Sequence, residues 1–143
     1  MRFLITAGVT PESPDGVKCN GGADLNLFDA MMRFNEEMER AGVLVTAEGH
    51  SPNVKKARLV VRNGKRVVAD GPFTEAKELV GGFYVIDVPT LDEAIRWMQR
   101  CPVGMAANEV LTIHPLTQAS DIPEPLRQRI ATVSPKFAAK MGA

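Results

Sequence analysis

The run Gly81–Val88, GGFYVIDV, constrains this chain more than any other stretch. Phe83 and Val85 point to one side of a strand, Tyr84, Ile86 and Val88 point to the other, and Asp87 is the one charge. A strand that is apolar on both sides has to be covered on both. The remaining sequence therefore has to be asked how many covers it can supply.

Arg2–Ala7 alternates as a first strand, with Phe3, Ile5 and Ala7 on one side and Leu4 and Thr6 on the other. Residues 8–24 are rich in Gly, Pro, Asp and Asn, which predicts a long loop: a binding loop, a mobile lid or a surface embellishment. The spacing of Leu27, Met31, Phe34 and Met38 predicts a helix over Leu25–Ala41. Asp24 suits its N-cap, Gly42 its left-handed terminator, and Val43 can fold back on the last turn. Val43–Ala47 reads as a second strand. Arg58–Arg62 and Lys65–Ala69 flank Asn63-Gly64, the strongest short-range hairpin signal. After Phe83–Val88, Thr90 and Glu93 form a capping box. It opens a helix that runs to Arg100, buries Leu91, Ala94, Ile95 and Met98, and stops at Cys101-Pro102. Glu109–Ile113 is the last strand. The tail carries Pro115, Pro123 and Pro125, then a short helix with Leu126, Ile130 and Val133 on one side.

In order, these elements are βαββαβ with an extra hairpin. That is the ferredoxin-like α+β pattern, an antiparallel sheet with both helices on one face. Residues 1–115 make up this domain and residues 116–143 a C-terminal tail. Two helices cover one face only, so a second subunit is the simplest cover for the other. Two such sheets packed face to face form a dimeric α+β barrel with a cavity between them.

Composition narrows the function classes. Seventeen basic residues balance seventeen acidic ones, which leaves no global field to attract nucleic acid or an anionic membrane. The lysines and arginines of 55–66 fall on the hairpin and read as a solvated sheet edge. No segment approaches the roughly 20 apolar residues that span a bilayer. Cys19 and Cys101 lie far apart, without a CxxC or a histidine at ligand spacing, as free thiols of a reducing compartment; a cytoplasmic location is expected. Phosphate loops, dinucleotide fingerprints and nucleophile elbows are absent, so no cofactor is expected.

The candidate chemistry rests on few residues. Asp70 opens the DGPF turn, where its carboxylate either caps nearby amides or faces the cavity as a general base whose pKa burial would raise. His50, in EGHSP, is the acid–base candidate beside it, both residues being placed at ends of neighbouring strands. His114 shares a side of the last strand with Val110 and Thr112, and Leu4 and Thr6 lie alongside. Thr6, Thr112, His114 and Tyr84 are the expected ligand-binding set, with Asp70 and His50 as catalytic candidates. The spacing of two histidines and an aspartate matches no metal-ligand pattern, so no metal is expected.

The stretch DGPFTEAKELVGGFYVIDV, followed by LDEAIRWMQRCP and EVLTIHPL, resembles the YCII-related, DGPF-type family of small bacterial proteins. ERAGVLVTAEGHSP and RNGKRVVADGPF fit the same pattern, so the resemblance covers residues 1–115. It implies the dimeric ferredoxin-like barrel. Proteins with that barrel include cofactor-free monooxygenases, lactone isomerases and dehydrochlorinases, and some DGPF proteins accompany extracytoplasmic-function sigma factors. The resemblance also implies an active pair made of an aspartate and a histidine on the first helix. This chain departs from it: no histidine occurs in Leu25–Ala41, and Met31 stands near the corresponding place, where it cannot move protons. The resulting expectation is a homodimer that binds a small organic ligand at the sheet face. The alternatives are a cofactor-free isomerase or HX-eliminating lyase and a regulatory accessory module.

Overall fold

The computed structural model describes residues 1–9, 25–50, 57–69, 81–103, 105 and 109–141. The Asp70 turn, the Asp24 cap, Cys19 and most of the 8–24 loop lie outside them. Strands β1 (Arg2–Val9), β2 (Leu44–Gly49), β5 (Gly82–Asp87) and β6 (Glu109–Pro115) form one antiparallel sheet in the order β2-β5-β1-β6. Helices α1 (Leu25–Arg40) and α2 (Leu91–Met98) pack on one side of it. This is the α+β arrangement expected from the element order, and it puts the doubly apolar β5 in the sheet interior. The pair β3 (Arg58–Arg62) and β4 (Lys65–Ala69) stays apart as its own two-stranded sheet, turning at Asn63 and Gly64 with φ of 51° and 73°.

The closed face is built from alternate residues of the central strands. Phe3 and Ile5 of β1 lie opposite Ile86 and Tyr84 of β5, and all four are buried against Phe34, Met38, Ala94 and Met98. Phe34 stands edge-on to Tyr84 at 6.4 Å and to Trp97 at 6.2 Å, tying α1 to both the sheet and α2. Arg100 lies 5.1 Å over the Trp97 ring and pairs with Glu37, closing the outside of that seam. At the end of α1, the Val43 amide donates to the Met38 carbonyl, which leads the chain straight into β2.

Two helix expectations need correction. In α2, Ala94 and Met98 are buried, but Leu91 and Ile95 are exposed and Trp97 takes the place expected for Ile95. The helix is only two turns long, and it is rotated so that its 94–98 line continues into buried Cys101. In α1 the apolar stripe is buried at Phe34 and Met38 but opens at Leu27. The Thr90 hydroxyl accepts from the Glu93 amide at 3.2 Å, as a cap should. Thr90→Ala is expected to cost about 1 kcal/mol, and roughly 3 °C in Tm, by scanning calorimetry.

Beyond the hairpin, α3 (Glu124–Val133) and α4 (Pro135–Met141) follow a 3-10 turn at Ala119–Asp121. The tail therefore holds a second helix beyond the one expected, with Pro135 as its first residue.

Candidate functional site

The open face of the sheet follows from strand register. Residues opposite each other on neighbouring strands share a face, so the register of β2, β5, β1 and β6 builds two rows. The first reads Glu48, Phe83, Thr6, Thr112, and the second reads Thr46, Val85, Leu4, His114. The centre of this array is apolar apart from Thr6, and both edges are polar. At the β2 edge the Thr46 hydroxyl donates to the Glu48 carboxylate at 3.2 Å. Gly82 is what lets β2 close against β5 at this end. A methyl group there would sit 2.6 Å from the Glu48 carbonyl oxygen.

His50 continues the Thr46–Glu48 side one step past β2. Its ring stands edge-on to Phe83 at 6.4 Å, and its amide donates to the Gly81 carbonyl at 3.0 Å. His114 lies across three strand spacings and about four residues further along, on the order of 20 Å away. The two imidazoles therefore do not act together on one small molecule within a single chain. Thr6 and Thr112 are direct cross-strand partners, and His114 lies opposite Leu4. Of the six residues expected from sequence, the structure brings together Thr6, Thr112 and His114, with His50 at the far margin.

Tyr84 stands apart. The pleat turns it to the closed face, where its hydroxyl and the Cys101 thiol share a hydrogen bond beneath the helices. Grouping it with the ligand-binding threonines is corrected by this placement. The basis for pairing His50 with Asp70 also changes, because among the described residues β2 has β5 as its neighbour and β4 pairs with β3. Thr46, Glu48 and Phe83 are the open-face residues that sequence reading passed over. The period-two rule applied to β2 would have found the first two.

Burial, then the Cys101 thiol beside it, pushes the Tyr84 hydroxyl up to about 12, and burial likewise raises Cys101. At neutral pH both groups are protonated in the folded and unfolded chain alike. Above the unfolded values of 9.0 and 10.0 the unfolded chain releases protons that the folded chain retains, so stability falls as pH rises toward 12. The expected loss from Tyr84 is about 2–3 kcal/mol, removed in Tyr84→Phe, with urea unfolding at alkaline pH as the measurement.

A cleft of about 490 Å³ opens at the opposite end of the sheet, lined among others by Arg2, Asp87, Gln118, Ser120 and Lys140. Thr6, His50, Tyr84, Thr112 and His114 do not line it. Tail packing brings these residues together, so no local sequence signal announces the cleft. Among the described residues, no group of three or more His, Cys, Asp or Glu could hold a metal ion, and no helix is long and apolar enough to cross a membrane.

A four-stranded βαββαβ sheet with one face closed by helices and, among the described residues, one left open defines a two-layer α+β protein. The YCII-related domain matches residues 1–117, and the chain belongs to that family. A segment is 48% identical over 44 residues to an uncharacterized protein of Rhizobium meliloti (strain 1021), covering 31% of this chain and 36% of that protein. The match thus spans about a third of that relative's length. Among solved structures, 5-chloro-2-hydroxyhydroquinone dehydrochlorinase from Burkholderia phenoliruptrix AC1100, in complex with 2,5-dihydroxybenzoquinone, superposes with a TM-score of 0.46 and 14% identity. That superposition covers 86% of this chain and 100% of the other.

Proposed function

We propose that the open sheet face binds a small, largely apolar organic molecule carrying a hydroxyl or carbonyl group, enclosed when a second copy covers the face. One observation carries this reading: an apolar floor of Leu4, Phe83 and Val85 is set among the hydroxyls of Thr6, Thr46 and Thr112 and the imidazole of His114. A floor of this kind gains from excluding water, and the few polar groups fix the ligand's orientation. The test is a thermal-shift screen of hydroxylated and carbonyl-bearing ring compounds, with native mass spectrometry of the gently purified protein. A ligand at a hundred times its Kd stabilises by about 2.7 kcal/mol, a rise on the order of 5–10 °C in Tm, and Thr6→Val with Thr112→Val should abolish it. If no compound shifts Tm and no small molecule accompanies the protein, the reading fails.

A second reading is cofactor-free proton transfer, an isomerisation or HX elimination, with Asp70 as base and either His50 or His114 as a separate acid–base group. Its support is the position of His50 against Phe83, one step beyond Glu48 on the open face. His50→Ala would then leave ligand binding intact and abolish turnover. An unchanged rate removes His50 from the mechanism.

A further inference from the structure

The hairpin β3–β4 carries an apolar surface that no described residue covers. Register places Leu59 opposite Val68 and Val61 opposite Arg66, so these four share a face. Leu59 is 61% exposed, Val61 69% and Val68 60%, whereas Val60 and Val67 on the other side are half-buried. A lone two-stranded hairpin is marginal in water, and an uncovered apolar cluster on it marks a contact surface. Arg66 is the one charge on this face, while Arg58, Arg62 and Lys65 lie on the other face with Val60 and Val67.

The complementary surface lies on α1. Opposite the buried line of Phe34 and Met38, an outward line runs through Leu25, Phe28 and Met32, which are 71%, 55% and 42% exposed. The line continues into Glu36 and Glu39, with Asp29 beside it. Glu36 is already paired with Arg40 at 2.5 Å, which leaves Asp29 and Glu39 as the acidic groups best matched to a basic partner.

Each surface is apolar, the charges are opposite, and within one chain both stay exposed. We propose that the Leu59–Val61–Val68 face of the hairpin docks on the Leu25–Phe28–Met32 face of α1 in a second copy of this chain. A two-fold pair makes the contact twice, hairpin to helix and helix to hairpin. It buries apolar area on both sides, brings Arg66 toward the acidic end of α1, and involves none of the residues of the open sheet face.

The test uses the full chain with Cys19→Ser. Val61→Cys is prepared in one sample and Phe28→Cys in another; both positions are exposed, and circular dichroism checks that both fold. After mixing and mild oxidation, disulfides between unlike chains should exceed those in either sample alone by about tenfold, since only docked faces bring the two Cβ atoms within bonding range. Arg66→Glu in the first chain should remove that excess, and Glu39→Arg in the second should restore it. No excess of unlike pairs overturns the proposal. So does a doubly substituted V61C, F28C chain that closes on itself at high dilution, because the hairpin then covers its own helix.

Discussion

Phe3→Ala is expected to destabilise the protein by about 3–5 kcal/mol and lower Tm on the order of 10–15 °C. Phe3 is fully buried on β1, the strand flanked by β5 and β6, and lies opposite Ile86 of β5. Its ring helps fill the layer between sheet and helices, and alanine leaves a void that neighbours on two rigid strands cannot close. Against a total stability of about 5–15 kcal/mol, that is a large share. The adjacent residue supplies the control. Leu4 points to the open face, so Leu4→Ala should cost the isolated chain about 1 kcal/mol or less. Equal losses from the two substitutions, measured by chemical denaturation, would contradict the assignment of closed and open faces.

Val85→Arg is expected to act on association instead of folding. Val85 occupies the middle of the open face, between Thr46 and Leu4. In a single chain a long cationic side chain there reaches water, and stability should change by less than about 1 kcal/mol. Between two sheets packed face to face, the same guanidinium would be buried without a partner, at a cost on the order of 3 kcal/mol or more. The dissociation constant of the pair should therefore rise at least about a hundredfold, read by sedimentation velocity over a concentration series. A native chain that stays monomeric at every concentration, or a Val85→Arg chain that associates as well as the native one, would remove the face-to-face pair. The small-molecule reading would then need another enclosure.

Much of the fold was legible because its signals are local. Alternation in β1 and β5, Asn63-Gly64 at the hairpin turn, Gly42 at the end of α1 and the Thr90 cap each act within a few residues, and each sits where its pattern placed it. Errors arose where a choice among apolar residues depends on what lies opposite. Ile95 and Trp97 both suit a buried position in α2. Contact with Phe34 on the neighbouring helix decides in favour of Trp97, and no local rule expresses that contact.

The candidate site shows the same division. Which residues of β1 and β6 point to the open face follows from a period of two, so Thr6, Thr112 and His114 could be grouped from sequence. Tyr84 could be placed opposite Phe83 for the same reason, but its depth in the core depends on α1 and α2 covering that side. The separation of His50 from His114 depends on strand order, a property of the whole sheet.

By itself, then, the sequence determined that this chain forms a βαββαβ sheet of the YCII-related family and that its β5 strand is apolar on both faces, because propensity, turn chemistry and alternation are short-range. Only the tertiary structure decided which face the helices close, that the hairpin forms a separate sheet, and which polar groups share the open face. Those outcomes depend on strand order and on packing between residues tens of positions apart, where long-range contacts select among arrangements that local signals leave equivalent.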